Sequence, residues 1–169
     1  MARTRGAILR AGRECLIHEG YHRLGLETVA ERAGVTAVRS EIVPAMARVA
    51  RTADAAGAFR SLVCELCRFW ASDPDLLRRL VSLDPVDPRA RDLIRRREDW
   101  TGRQVAAVID RLAAEDRGLD PFDRSTATAI VSAVTSFRSC DEMASRTGVP
   151  LAELDTLLIP GLRGVIRLG

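Results

Sequence analysis

The stretch GYHRLGLETVAERAGVT, residues 20–36, decides the expected fold of the N-terminal part of the chain. Gly20 and Gly34 are expected to end two successive helices, since glycine accepts the left-handed conformation found at helix ends. Ala30 supplies the small side chain that two closely crossing helices need. The apolar residues expected to hold the crossing angle are Val29, Ala33 and Val35. This spacing predicts a helix-turn-helix motif whose following helix begins at about Thr36 and can enter the DNA major groove.

The distribution of charge favours the same interpretation. Residues 1–25 carry five arginines against two glutamates, which equals the net excess of +3 in the whole chain. A basic end of this kind attracts a phosphate backbone.

Length and composition limit the protein to a few classes. The chain has 169 residues, of which 47% are hydrophobic and 29% charged, as in a globular domain or a small domain joined to a larger one. No apolar run approaches the ~18 residues of a membrane-spanning helix, and no apolar signal core follows the N-terminus. We therefore expect a cytoplasmic protein without a membrane partner. Its four cysteines lie in apolar helical stretches, which favours reduced thiols over disulfides: Cys15, Cys64, Cys67 and Cys140.

The remainder of the chain predicts helices only, because apolar residues recur at helical spacing and strand signals are nearly absent. Aspartate and proline supply the expected boundaries. A helix follows Asp54, a second begins at Asp73-Pro74, a third runs from Asp87-Pro88 to about Glu115, a fourth from about Ser125 to Ser145, ending at Gly148, and a last one begins at Pro150 and is kinked or split at Pro160. The third helix is expected to bury a stripe that includes Leu93, Ile94, Thr101 and Val105.

The N-terminal motif resembles the DNA-binding domain of TetR-family transcriptional regulators. The matching residues fall in register over about the first 36 positions: Leu9, Ala11, Gly20-Tyr21, Val29-Ala30 and Ala33-Gly34-Val35-Thr36. The resemblance implies an all-α protein, with a helix-turn-helix domain at 1–45 joined to a larger helical ligand-binding and dimerisation bundle at 46–169. It also implies a sequence-specific DNA-binding regulator, acting as a repressor that a small-molecule effector releases from DNA.

The chain departs from the family pattern directly after this motif. Ser40, Glu41 and Pro44 stand where the family has an apolar residue, a tyrosine and a phenylalanine, and Pro44 is expected to break the helix. The 17 residues between Thr36 and Asp54 cannot hold both a recognition helix of about 10 residues and a connecting helix of about 15. We therefore expect that roughly 20 to 35 residues are missing between about Thr36 and Arg39, through omission or genuine deletion. The stretch 37–50 is then the tail of a connecting region.

The resemblance implies two macromolecular partners. One is a double-stranded DNA operator with two-fold related half-sites, and the other is a second copy of the chain. The residues expected to contact DNA are Arg3, Thr4, Arg5, Thr28, Thr36 and Arg39. A two-fold operator requires a homodimer, and the dimer candidates are Val131, Phe137, Leu154, Leu158, Leu162 and Ile166.

The resemblance also implies a pocket for an unknown small, largely apolar effector in the C-terminal bundle. Most of the candidate residues are expected to belong simply to the core, with Thr101 and Arg138 as the polar anchors of any ligand. The candidates are Leu66, Phe69, Trp70, Leu80, Trp100, Thr101, Val105, Ile130, Val134, Phe137 and Arg138.

Enzymatic, metal and cofactor functions find no support in the sequence. No Ser-His-Asp set, phosphate-binding glycine loop or paired inward carboxylates stand out. The pairs Cys64/Cys67 and His18/His22 each lack further ligands for a metal. The alternative to a regulator is a helical small-molecule-binding or protein-interaction module that has lost DNA binding. A complete recognition helix, or DNA affinity that falls steeply with salt, would separate the two hypotheses.

Overall fold

The structure is a computed structural model that describes residues 36–115, 119 and 122–166, without the side chains of 36–41, 43 and 89. The chain divides into two compact units, 1–44 and 45–169. Most of the described residues belong to the second unit.

Seven α-helices make up this part of the chain, and no strand occurs in it, so the all-α prediction is confirmed. The helices are α1 (Thr36–Arg51), α2 (Ala55–Ser72), α3 (Pro74–Leu83), α4 (Pro88–Ala114), α5 (Arg124–Val134), α6 (Phe137–Thr147) and α7 (Asp155–Gly161). Short 3-10 turns lie at Leu151–Glu153 and Leu162–Gly164. The helix α2 is central, because it packs against α3, α4, α6, α7 and the first of these turns.

The predicted helix starts are confirmed by their caps. Asp54 accepts a hydrogen bond from the Gly57 amide at 2.7 Å, and Asp73 accepts one from the Leu76 amide at 3.1 Å. Pro74 occupies the first turn of α3, where its missing N–H has no helical partner to lose. Each aspartate therefore satisfies an amide that the start of its helix leaves unpaired.

Pro44 does not break α1, contrary to the sequence prediction. The helix continues to Arg51, and after the proline Ala45, Met46 and Val49 recur at helical spacing and are all buried. A proline removes one backbone hydrogen bond, but the apolar face that continues beyond it offsets this loss. Whether a segment is missing between Thr36 and Arg39 stays a prediction, as do the proposed limits of the two domains.

The single helix predicted for 125–145 is wrong, because two helices, α5 and α6, occupy this stretch. Thr135 ends α5, and the Ser136 hydroxyl begins α6 by accepting a hydrogen bond from the Ser139 amide. Gly148 ends α6 as predicted, with a φ of +73°, in the left-handed region that glycine favours. The last helical stretch is split near Pro160, also as predicted, since α7 changes to a 3-10 turn at Leu162.

The core lies between α2 and α4 and extends to the C-terminal turns. Its largest fully buried side chains include Phe59, Leu62, Leu66, Ile109, Leu112, Leu154 and Ile166. Leu93 was predicted to face inward, but it is 39% exposed. The buried stripe of α4 passes through Ile94 and Thr101, and Leu93 lies about 100° around the helix from Ile94.

Candidate functional site

The residues predicted to contact DNA lie at the edge of the described structure or beyond it. Arg3, Thr4, Arg5 and Thr28 lie outside the described residues. Thr36 is the first residue of α1 and Arg39 lies in its first turn, but neither side chain is described. Their role in DNA binding therefore stays a prediction.

Three of the predicted pocket residues form an aromatic cluster between α2 and α6. The ring centres of Phe69 and Trp70 lie 5.0 Å apart with planes at 58°, and those of Trp70 and Phe137 lie 5.8 Å apart at 60°. Tilted pairs at such distances are favourable because the electron-poor edge of one ring meets the electron-rich face of the next. The Trp70 indole also donates a 2.9 Å hydrogen bond to the Thr135 carbonyl, which fixes the middle ring of the cluster.

An arginine that sequence reasoning missed lies against this cluster. The guanidinium carbon of Arg97 is 4.0 Å from the centre of the Phe69 ring and 5.0 Å from that of Trp70. Both distances are within the range in which a cation is attracted to the face of an aromatic ring. Arg97 belongs to α4, so the contact joins α4 to α2 at the aromatic cluster.

The Arg97 guanidinium has no acidic partner among the described residues. Its Nη2 atom is buried and makes no hydrogen bond there. Burial lowers the pKa of Arg97, because desolvation disfavours its charged form. An arginine nevertheless stays protonated at neutral pH, so a positive charge is held here beside two aromatic rings.

The other predicted pocket residues are dispersed between core and surface. Leu66, Leu80, Thr101 and Val105 are buried, and Trp100, Ile130 and Val134 are half-buried. Arg138, predicted as a polar anchor, is exposed and forms an ion pair with Asp84 at 2.5 Å. The effector pocket thus stays a prediction. Among its candidate residues, the structure brings the rings of Phe69, Trp70 and Phe137 into contact.

A surface cleft of about 610 Å³ lies elsewhere, where the end of α6 and the following turn meet the start of α3. None of the predicted pocket residues lines it. Its charged residues Arg78 and Asp141 are joined by hydrogen bonds of 2.7 to 3.1 Å, so they already satisfy one another.

All six predicted dimer residues are buried within one protomer. Leu158 belongs to α7 and Leu162 to the following 3-10 turn, Leu154 directly precedes α7, and Ile166 lies two residues after that turn, while Val131 and Phe137 belong to α5 and α6. By contrast, Leu157 of α7 is 40% exposed and is accessible to a second subunit. The homodimer itself stays a prediction.

The three described cysteines are free thiols, and two of them, Cys64 and Cys67, interact with Asp155. The Cys64 thiol donates a 3.0 Å hydrogen bond to the Asp155 carboxylate, and burial together with this carboxylate raises the pKa of Cys64 to about 12. Cys67 and Cys140 are buried and hydrogen-bonded to each other, which raises the pKa of Cys140. In the ranges that the structure covers, no group of three histidine, cysteine or acidic residues could hold a metal ion.

Arg111 near the end of α4 and Glu115, directly after this helix, form hydrogen bonds with the ends of two other helices. Arg111 donates hydrogen bonds to the carbonyl oxygens of Val49 and Ala50 at 3.5 and 3.4 Å, and to that of Thr52 at 2.7 Å. Both carboxylate oxygens of Glu115 accept from the Ala55 amide, at 3.0 and 3.1 Å. A cation therefore meets the C-terminal end of α1 and an anion the N-terminal end of α2, in agreement with the polarity of a helix.

Comparison with known proteins yields one match. Residues 8–38 match the sequence profile of the family described as bacterial regulatory proteins, tetR family. No curated protein and no solved structure matches the chain at a significant level. Among the described residues, no helix is both long enough and apolar enough to cross a membrane.

Proposed function

We propose, from the premise that this chain is a TetR-family regulator, that it represses transcription by binding an operator and leaves the DNA when a small effector binds. The observation that carries the proposal is the match over residues 8–38, which contains the predicted helix-turn-helix and ends within α1. A DNA-binding regulator is the coarser conclusion that this match supports.

The basic N-terminal segment supports the DNA partner. Its five arginines against two glutamates supply the phosphate attraction that positions a protein on the duplex. The operator is proposed to be two-fold symmetric and to be read by a homodimer, since each subunit then presents one recognition helix to one half-site. The protein is proposed to act in the cytoplasm, where it meets DNA.

The helical bundle supports the effector. A ligand releases a repressor when it binds more tightly to a conformation in which the recognition helices no longer fit the operator. The buried and half-buried candidate residues of α2, α4, α5 and α6 are the proposed lining of its site, with Phe69, Trp70 and Phe137 as its aromatic cluster.

The direct test is operator selection from random DNA with the purified full chain, followed by titration of the selected site at several salt concentrations. We expect the logarithm of the binding constant to fall linearly with the logarithm of the salt concentration, because bound phosphates release counterions. Binding that is absent, or that is independent of salt, would favour the alternative, an effector-binding or interaction module without DNA function.

A substitution at Thr36 tests the proposed position of the recognition helix. Thr36→Glu puts a negative charge at the start of α1 and is expected to abolish operator binding while the dimer, measured by sedimentation, remains. Thr156→Glu adds the same charge at an exposed residue of α7 and serves as the control. Unchanged operator affinity in Thr36→Glu would show that the proposed recognition helix lies elsewhere.

The intact mass of the protein expressed from its native gene tests the missing segment. The sequence corresponds to 18.5 kDa. A mass higher by a few kilodaltons means that further residues complete the recognition helix. A mass of 18.5 kDa means that the DNA-binding half is short, and the operator experiment then decides between the two functions.

A further inference from the structure

The buried stripe of α4 contains one position that an arginine occupies. Ile94, Thr101, Val105 and Val108 recur at intervals of three, four or seven residues and are all buried. Arg97 falls between Ile94 and Thr101 in the same register, three residues after the first and four before the second. A charged side chain therefore occupies a position of the buried stripe at which the helical pattern predicts an apolar one.

The surroundings of Arg97 leave part of its hydrogen-bonding capacity unused. The faces of Phe69 and Trp70 interact with the flat guanidinium, but an aromatic face accepts no conventional N–H hydrogen bond. The Nη2 atom is buried without a partner among the described residues. A buried donor without an acceptor costs free energy, and a buried charge without a counter-charge costs more. A ligand from outside can supply the acceptor that such a group lacks.

We propose that Arg97 is the anchor for an organic carboxylate in the effector site, and this inference rests on the proposed function. A guanidinium offers two parallel N–H donors whose spacing matches the two oxygens of a carboxylate. The ligand would supply the missing acceptor and the missing negative charge at once. Its body is apolar, because the groups that lie against Arg97 are the rings of Phe69 and Trp70.

The charge of the ligand is inferred from Arg97, the cation that the described part of the chain places against the aromatic cluster. One guanidinium compensates one carboxylate, whereas a phosphate ester carries nearly two charges and would retain an unpaired one.

The route of entry of the ligand is inferred from the exposure of the residues at the anchor. Arg97, Phe69 and Trp100 are each only half-buried, so the anchor lies at the margin of the core and not at its centre. A carboxylate would reach Nη2 through a rearrangement of these half-buried side chains.

The experiment compares charged and neutral molecules of the same shape. Benzoate and octanoate are the probes, and benzamide and octanamide are their neutral counterparts. Binding to the purified full chain is followed by tryptophan fluorescence, since Trp70 lies beside Arg97, and by the shift in Tm with ligand concentration. We expect at least one carboxylate to raise Tm and change the fluorescence, while its amide does so at least about tenfold more weakly.

Variants assign the effect to the anchor. Arg97→Met keeps the length of the side chain and removes its charge, so we expect affinity for the carboxylate to fall about tenfold or more. The Tm of the unliganded variant should remain close to that of the unmodified protein, because the loss of the ring contact is offset by the removal of an unpaired charge. Arg103→Met changes an exposed arginine of the same helix and should leave binding intact. Arg138→Met tests the anchor predicted from the sequence.

The outcomes separate this inference from the proposed function. Carboxylate binding that depends on Arg97, in a protein that binds no operator, supports the anchor and overturns the repressor. Operator binding by a protein in which neither carboxylate binds better than its amide overturns the anchor alone. Carboxylate binding that Arg97→Met leaves unchanged, or that Arg138→Met abolishes, also overturns it. Binding of phenyl phosphate in preference to benzoate would reassign the ligand to phosphate esters.

Discussion

The indole Nε1 of Trp70 donates a 2.9 Å hydrogen bond to the main-chain oxygen of Thr135, 65 residues further along the chain. In an uninterrupted helix this oxygen would accept from the Ser139 amide. Here the Ser139 amide donates to the Ser136 hydroxyl instead, at 3.3 Å. The boundary between α5 and α6 is therefore stabilised from α2 by Trp70 and within the chain by the Ser136 hydroxyl.

Replacing Trp70 with phenylalanine should destabilise the protein by about 1–3 kcal/mol, because it leaves the buried Thr135 carbonyl without its donor. The free energy of unfolding in urea, measured by circular dichroism, tests this expectation. Trp100→Phe is the matched control, since Trp100 is half-buried and should lose less. Equal losses in the two variants would mean that ring size, and not the hydrogen bond, determines the effect.

Ser136→Ala removes the hydroxyl that begins α6 and should cost about 0.5–2 kcal/mol of unfolding free energy. Ser145→Ala changes an exposed serine within the same helix and should be neutral or slightly stabilising, because alanine is the better helix former. Urea denaturation of both variants provides the comparison. If Ser136→Ala is as stable as the unmodified protein, the cap does not hold the break in place.

Arg111→Met should destabilise the protein by about 1–3 kcal/mol, since three carbonyl oxygens at the junction of α1 and α2 lose a charged donor. Hydrogen exchange followed by mass spectrometry should show the faster exchange in peptides that cover 45–58. Arg103→Met, on the exposed side of α4, should leave those peptides unaffected. Uniformly faster exchange across the chain would instead point to a general loss of stability.

Because of the Cys64 thiol, we expect the free energy of unfolding to fall at alkaline pH. Its pKa is raised from 9.0 to about 12 by burial and by Asp155, so the folded protein keeps a proton that the unfolded chain releases. This contribution is complete below pH 9 and is lost as the pH rises toward 12. Cys64→Ala should therefore show a shallower fall in unfolding free energy between pH 9 and 11.

Alkylation provides an independent measurement of the same pKa. At pH 9, iodoacetamide should modify Cys64 much more slowly in the folded protein than in urea, as judged by peptide mass spectrometry, because the reactive thiolate is scarce. Asp155→Asn removes the hydrogen-bonding carboxylate and should accelerate the reaction. A folded-state rate equal to that in urea would contradict the raised pKa.

Local signals in the sequence predicted the helix starts, because an aspartate followed by a proline or an apolar run determines its own cap. The start of α3 at Asp73-Pro74 needs no distant contact. The break at Thr135 could not be predicted in this way, since threonine and serine are also tolerated within helices. It depends on Trp70, which only the tertiary fold brings to this point.

The candidate site was predicted in part. Phe69, Trp70 and Phe137 were selected as pocket residues, and the structure brings them into contact. Arg97 was not among the predicted pocket residues, although its spacing from Ile94 and Thr101 places it on the buried stripe. The candidate dimer residues include Leu154 and Leu158 of the C-terminal apolar stripe, which the protomer itself buries. Apolar periodicity cannot distinguish the core of one subunit from the contact with another.

Arg97 and Arg111 lie on one unbroken helix, 14 residues apart, which at 1.5 Å per residue corresponds to about 21 Å. The Arg97 side chain contacts the aromatic cluster, and the Arg111 side chain donates hydrogen bonds to the carbonyl oxygens of Val49 and Thr52. An α-helix is stiff along its axis, so a displacement of α4 at Arg97 would also displace Arg111. The helix α4 thus connects the aromatic cluster to the C-terminal end of α1, the helix that begins at Thr36.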